Sequence, residues 1–221
     1  ETTLQVLHEP GKTAQSNSYM WLYRTGGDTD RPIVLFDYQP GRGACYPKAF
    51  LKNFRGYLHT DGYSGYHSLP DEITVVGCWA HTRRKFDEAM KSLPKGKAKN
   101  SSAAQGLAYC NLLFKIEEGL TGLPPKERYD QRLEQAKPVL DALLAWANTR
   151  TAAPKSSLGK ALSYLKEQWP YLLNYLKDGR LELSNNRAER SIKPFVIDRK
   201  NFLFANTPSG AKSSAVSFSL I

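Results

Sequence analysis

The chain has 221 residues, 41% hydrophobic and 24% charged, which is enough apolar material for one large domain or two small ones with a real core. Lys and Arg outnumber Asp and Glu by 31 to 21, and the net charge of +10 favours polyanionic partners. No apolar run approaches the roughly 18–20 residues of a membrane span and none reads as a signal peptide, so nucleic acid is a better partner than a membrane, and a cytoplasmic, nucleoid-associated protein is expected.

Cys45, Cys78 and Cys110 are the only cysteines. An odd, sparse set makes no disulfide framework and fits a reducing compartment. No CxxC pair and no His/Cys cluster at structural zinc spacing is present. The chain begins at Glu1 inside a strand-like run and ends in the apolar run 215–221, so it reads as part of a longer protein.

Residues 2–7 alternate and carry β-branched side chains, which favours a strand. Pro10-Gly11 turns the chain. Residues 18–24 form a second, aromatic-rich strand, and Gly26-Gly27-Asp28 turns again. Residues 32–38 are almost continuously apolar, the pattern of a central strand buried on both faces. Short turns between these three predict an antiparallel meander. A short helix is expected over 47–54, a strand over 57–60, a helical turn over 63–68, a fifth strand over 73–77 and a helix over 79–92.

Composition shifts at Pro94. Residues 95–102 are basic and read as a linker or mobile loop. Strand signals then vanish as far as about residue 177. Leu107, Cys110, Phe114 and Glu117 share one helical face. Leu133, Ala136, Leu140, Leu143, Leu144 and Ala147 share another, and Leu158, Leu162, Leu165, Trp169, Leu172 and Leu176 a third, interrupted by Pro170. Such stripes mean helix–helix packing. Beyond residue 200, 201–204 are expected to be extended, 206–212 to form a polar loop, and the last ten residues to begin a helix.

The chemistry concentrates in residues 181–194. Ser184 and Asn185 are good N-caps for a short helix, which Pro194 is expected to stop. Glu189 then sits one turn inside, among Arg187, Arg190 and Lys193. A carboxylate among cations suits a salt bridge or a metal ligand beside a polyanion. Asp61 follows a strand, next to Gly62. Carboxylates far apart in sequence converge on paired Mg²⁺ ions in phosphodiester chemistry, and Mg²⁺ prefers oxygen ligands. Residues 78–81 form a Cys-x-x-His, in which Cys78 reads as a buried strand residue and His81, near a strand end, as a candidate contact to phosphate or a protonated leaving group. Zinc there would need ligands that are not evident. Trp79, Tyr63 and Tyr66 suit base stacking or, for Trp79 above all, core packing.

Four stretches in order, Glu1-Thr-Thr-Leu-Gln-Val-Leu7, His59-Thr-Asp-Gly-Tyr-Ser-Gly-Tyr66, Cys78-Trp-Ala-His-Thr-Arg-Arg-Lys-Phe86 and Ser184-Asn-Asn-Arg-Ala-Glu-Arg-Ser-Ile-Lys-Pro194, resemble the IS66 family of insertion-sequence transposases over nearly the whole chain. The resemblance implies a DDE catalytic domain of α/β class: an RNase H-like mixed five-stranded sheet flanked by helices, with an all-helical insertion before the last acidic residue. Residues 1–93 would form the first part of that core, 94–178 the insertion and 179–221 the last part.

In the same terms, Asp61 is similar to the family's second acidic residue and Glu189 to its third. Both would be catalytic and would bind Mg²⁺ or Mn²⁺ in a two-metal site. The family's first aspartate would stand immediately before Glu1. Asp37 is a conceivable stand-in for it, and a structural role suits Asp37 better. His81 is a candidate active-site neighbour. Arg83, Arg84, Arg187, Arg190, Lys193, Arg199 and Lys200 are candidate DNA-backbone contacts. The implied activity is metal-dependent DNA strand cleavage and strand transfer by a homo-oligomer assembled on element ends and target DNA. A nuclease without joining activity and an inactive DNA-binding or assembly domain are the alternatives.

Overall fold

The computed structural model describes residues 1–220 and, within them, every side chain except that of Lys95. Ile221, the last residue of the expected C-terminal apolar run, lies outside the described residues. In chain order the elements are β1 (Thr2–Val6), β2 (Asn17–Arg24), β3 (Val34–Gln39), α1 (Cys45–Phe50), β4 (Gly56–His59), a 3₁₀ turn (Ser64–Ser68), β5 (Ile73–Val76), α2 (Trp79–Lys91), α3 (Lys95–Ala98), α4 (Ser102–Gly119) and α5 (Pro125–Gln131). A π-turn (Arg132–Ala136) leads into α6 (Lys137–Asn148), followed by α7 (Ser157–Leu172), a second 3₁₀ turn (Leu173–Lys177), α8 (Asn186–Phe202), β6 (Phe204–Ala205) and α9 (Pro208–Leu220).

The chain is α/β and divides into two compact units. One holds Glu1–Arg55, Ser64–Glu72 and the chain from Asn186 onward; the other holds Gly56–Tyr63 and Ile73–Asn185. The five expected strands all form, but in two hydrogen-bonded sets instead of one five-stranded sheet. In the first unit a four-stranded mixed sheet has the order β3-β2-β1-β6. The two-residue β6 occupies the free edge of β1, pairing Gln5 with Phe204 in parallel. In the second unit β4 and β5 pair in parallel, from Gly56↔Ile73 to His59↔Val76.

β1–β3 form the antiparallel meander that the short turns predict. β3 differs from expectation: it is the outer strand of its sheet, not a central one. Its apolar run splits by alternation. Phe36 and Tyr38 are buried, whereas Leu35 is 41% exposed. One sheet face carries Leu4, Val6, Met20, Phe36 and Tyr38, packed against Phe195, Ala211 and Ala215 of α8 and α9. The opposite face carries Trp21, which is fully buried, meets Tyr66 edge-on at 6.1 Å and donates its indole N–H to the Gly41 carbonyl (3.3 Å). Tyr23, on that same face, stacks on Phe50 of α1 at 3.8 Å.

Pro194 does not stop its helix; α8 runs through it to Phe202. A mid-helix proline forfeits one backbone hydrogen bond. Phe195, the next residue, is fully buried in an aromatic cluster with Phe36, Phe202 and Phe218, with ring centroids 5.2–6.1 Å apart. Only continued helix holds Phe195 and Phe202, seven residues apart, on one face. Pro170 likewise lies inside α7, whose buried stripe Leu162, Leu165 and Leu172 continues past it. The basic stretch 95–102 holds a helical turn, α3, and then the start of α4. The segment 206–212, expected as a loop, already contains the first turn of α9.

Between Pro94 and Lys177 every regular element is helical. The apolar stripes read from spacing make much of the second unit's core, with Leu107, Cys110, Leu140, Leu143, Leu162, Leu165 and Leu172 buried around Trp79 and Phe86; on α4 it is Leu113 that is fully buried and Phe114 only partly, and Leu133 is exposed. Ser101 and Ser156 cap α4 and α7, accepting from Ala104 N (3.1 Å) and Gly159 N (3.0 Å). α2 crosses α4 closely because Gly106 has no side chain: a Cβ there would lie 2.5 Å from the Phe86 ring.

Spacing gave no hint of Arg132. Its side chain is 1% exposed and its guanidinium is fully engaged. It donates from Nε and Nη2 to the two Glu117 carboxylate oxygens (2.7 and 2.8 Å). Its Nη1 donates to the carbonyls of Tyr175 (3.1 Å) and Asp178 (3.0 Å), and Nη2 also to that of Leu181 (2.6 Å). Three hydrogen bonds then hold residues 182–185. Glu182 N donates to His59 Nε2 (3.3 Å), Trp79 N to the Leu183 carbonyl (3.1 Å) and Asn185 N to Cys78 Sγ (3.4 Å).

Arg132→Met leaves the Glu117 carboxylate and three carbonyls without their donor. Unfolding in denaturant should show a loss of about 3–5 kcal/mol, the cost of breaking a buried ion pair from one side. Burial, against Glu182 and reinforced by Arg132, holds the His59 pKa down to about 4 from 6.5. Because Nε2 accepts a hydrogen bond, the neutral ring carries its proton on Nδ1. The unfolded chain therefore binds the proton more readily. The contribution of His59 is complete above pH 6.5 and is lost as pH falls from 6.5 towards 4, by about 3 kcal/mol in total. Unfolding measured against pH should show that loss for the natural chain. In His59→Gln, which keeps an acceptor and removes the titration, the slope across this window should be shallower.

Candidate active site

Asp61 is set by the end of a strand and by a glycine. The β4–β5 ladder extends one residue beyond β4, where Thr60 N donates to the Val76 carbonyl (3.0 Å). The chain then turns. Asp61 Oδ1 accepts from the Tyr63 N–H (3.0 Å), an Asx-type closure that aspartate favours. Gly62 between them has φ +87°, a conformation costly for any side chain. Space excludes one too: a Cβ at Gly62 would lie 2.8 Å from the Tyr164 hydroxyl and 3.0 Å from Gln168 Oε1. Tyr164 donates its hydroxyl to the Asp61 carbonyl (3.1 Å). The Lys85 ammonium lies 4.8 Å from the centre of the Tyr164 ring. Burial, followed by Cys78 and Asp61 and against Arg84, raises the Tyr164 pKa well above that of a free phenol, so the hydroxyl keeps its proton. The Asp61 side chain itself is half-buried.

Cys78 is fully buried at the N-cap of α2, where its sulfur accepts from Asn185 N. His81 stands in the first turn of α2, half-buried. Arg83 and Arg84 follow on the exposed side, with Arg83 Nε donating to Asn111 Oδ1 of α4 (2.6 Å).

Glu189 lies in the other unit, in the first turn of α8. A carboxylate there complements the positive end of the helix dipole. Helix α8 begins at Asn186, one residue beyond the expected caps. The Asn185 Oδ1 is buried and accepts no hydrogen bond among the described residues. Two arginines lash α8 to the sheet. Arg24 of β2 donates from Nη1 to Ser191 Oγ (2.7 Å) and to the Arg187 carbonyl (3.4 Å). Arg199 donates from Nη1 to the Thr2 hydroxyl (3.0 Å) and to the Thr3 carbonyl. Of the cations proposed for DNA, Arg199 is therefore tied into the fold. Arg190, Lys193 and Lys200 stand on the exposed side of α8, at the three- and seven-residue spacings that keep one helix face. Arg187 is half-buried near the helix start.

Asp37 pairs across the sheet with Trp21 and so lies on the face away from α8. Its Oδ2 accepts from Gln39 Nε2 (2.9 Å).

Asp61 and Glu189 are thus each built by their own unit. Among the described residues no three His, Cys, Asp or Glu side chains form a cage. Hard carboxylate oxygens offered one or two at a time suit Mg²⁺ and Mn²⁺, because Mg²⁺ binds through one or two carboxylates and completes its shell with water and substrate phosphate. The donor chemistry fits those ions and does not suit a thiolate metal.

Sequence reasoning overlooked Tyr164, Gln168 and Arg24. Tyr164 and Gln168 are one turn apart on α7, beside its apolar stripe, and such a polar pair was a visible signal. Their partner, Asp61, is 103 positions earlier, which no periodicity reveals.

The model of the family described as "Transposase IS66 family" matches residues 1–213. Uncharacterized protein y4qI of Sinorhizobium fredii is 31% identical, with all of this chain and 43% of that protein covered. Uncharacterized protein y4hP of the same organism is 30% identical, with 91% of this chain and 40% of that protein covered. The chain thus spans less than half the length of these relatives. No solved structure matches it. With the match running through both the Asp61 turn and the Glu189 helix, the chain belongs to the IS66 family of transposases.

Proposed function

We propose that the chain is the catalytic domain of a DDE transposase, which cuts DNA at the ends of an insertion sequence and joins the freed ends to target DNA. The observation that carries this reading is Asp61: a half-open carboxylate at the end of a parallel strand, on a turn whose left-handed Gly62 favours glycine. The strand directions, an antiparallel β1–β3 meander plus a parallel β4–β5 pair, support an RNase H-like plan. So does the register of β1. The family pattern implies an aspartate immediately before Glu1. Alternation along a strand gives that position the same face as Thr2 and Leu4, the face packed by α8 and therefore by the helix of Glu189.

In this reading Asp61 and Glu189, with that aspartate, hold two Mg²⁺ or Mn²⁺ ions. When bound, the ions supply charge neutralisation at the scissile phosphate and a more acidic water. The carboxylates hold and orient; they need carry no proton. Water attacks the phosphodiester and the 3′-oxygen leaves as a hydroxyl. That hydroxyl then attacks a target phosphodiester and displaces another 3′-oxygen. Arg83, Arg84, Arg190, Lys193 and Lys200 neutralise the DNA backbone, with Arg187 in the first turn of α8 and His81 in the first turn of α2 as further candidates. The reading carries a homo-oligomer on DNA, since two element ends must be joined together, and a place at the nucleoid. No helix among the described residues is long and apolar enough to cross a membrane.

Asp61→Asn and Glu189→Gln, each made in the full-length natural protein, should reduce Mg²⁺-dependent strand cleavage about a thousand-fold or more, the size of several kcal/mol of lost charge stabilisation. DNA binding should persist in both. Cleavage at the natural rate in either variant would sink the assignment, and hydrolysis without strand transfer in the natural protein would make it a nuclease. Arg190→Ala with Lys193→Ala should lower the slope of log affinity against log salt by about two, one for each phosphate contact. An unchanged slope would remove α8 from the DNA interface.

A further inference from the structure

The helical region between Pro94 and Lys177 contributes directly to the Asp61 turn. Tyr164 and Gln168 are neighbours on one face of α7, four residues apart. Gln168 is 5% exposed, and the Tyr164 hydroxyl is within hydrogen-bond reach of the Asp61 carbonyl (3.1 Å). Both side chains occupy the space that any Cβ on Gly62 would need. The turn is therefore closed from two sides. Tyr63 N fixes the Asp61 carboxylate from within (3.0 Å), and α7 fixes its backbone from without. The Lys85 ammonium over the Tyr164 ring joins α2 to the same assembly.

We infer that Tyr164 is a positioning residue for Asp61: its hydroxyl, through the Asp61 carbonyl, holds the carboxylate in the orientation that receives a divalent cation. The helical region is then a working part of the metal site as well as a packing layer. A carbonyl left without its donor frees the Asp61–Gly62 peptide plane to turn, and with it the following chain that carries the Tyr63 N–H on which the Asp61 carboxylate is fixed. Groups that orient a metal ligand without touching the metal typically change affinity about 10–100-fold when removed. Tyr164→Phe removes the hydroxyl alone and keeps the ring against Lys85.

This inference rests on the proposed role of Asp61, and its test separates the two. Mn²⁺ is titrated into the full-length natural protein and followed by electron paramagnetic resonance, with no DNA and no turnover, for the natural sequence, Asp61→Asn, Tyr164→Phe and the double variant. Thermal melting checks that the Tyr164→Phe fold is intact, with a midpoint within about 4 °C of the natural protein. The expected result is Mn²⁺ binding that Asp61→Asn weakens strongly, affinity at least about ten-fold weaker in Tyr164→Phe, and, measured on the residual binding of Asp61→Asn, no further loss when Tyr164→Phe is added. A merely structural tyrosine would not produce that dependence on Asp61. Equal Mn²⁺ affinity in Tyr164→Phe and the natural protein, with Asp61→Asn defective, overturns the positioning role and leaves the proposed function standing. Mn²⁺ binding that Asp61→Asn does not alter overturns the metal role of Asp61 and the inference with it.

Discussion

A buried cation needs a partner for every donor, and Arg132 is where the second unit meets that demand. An unpaired guanidinium in the interior would cost several kcal/mol. Here one carboxylate from α4 and three carbonyls from the stretch 175–181 converge on it. The π-turn is the local device at this point: Arg132 is its first residue, between α5 and α6. The consequence reaches the Asp61 turn. Leu181, whose carbonyl Arg132 holds, opens the segment whose next residues are bonded to His59, Trp79 and Cys78. The Asp61 turn leaves the strand that His59 ends.

The first unit meets a different constraint. Its sheet has two apolar faces, and each needs a cover. Helices α8 and α9 cover one, while α1 and the turn around Tyr66 cover the other. Glu1 shows how tightly the second face is closed: its carboxylate, 3% exposed, accepts from Arg42 Nε (2.6 Å) and the Tyr66 hydroxyl (3.3 Å). On the first face Phe195 decides the length of α8. A lost hydrogen bond at Pro194 is a smaller term than removing a large aromatic side chain from a core, so the helix continues and carries Lys200 onto the same exposed stripe as Lys193.

Much of this was legible in the residues themselves. Leu140, Leu143 and Ala147, or Leu162 and Leu165, announce buried helical faces by spacing alone, because helix period is a property of the backbone. Thr2 to Val6 announces a strand for the same reason. The Asp61-Gly62 and Glu189 motifs carried the family, and the family model agrees over residues 1–213. What misled was local grammar taken as decisive. Pro194 and Pro170 read as breaks, and the run through Val34 to Tyr38 read as a central strand, yet β3 is an edge strand with Leu35 exposed.

By itself, then, the sequence determined element type along most of the chain, the basic character, and the motifs that carry the family. These depend on neighbours within a few residues, where backbone geometry relates chemistry to position. Tertiary structure alone decided that β6 takes the edge of β1, that Arg132 is buried and fully bonded, and that Tyr164 and Gln168 close the turn of Asp61. Each of these unites groups far apart in the chain, the last pair by 103 positions. Their energy comes from burial and from satisfying polar groups together, and those quantities do not exist until the distant segments have met.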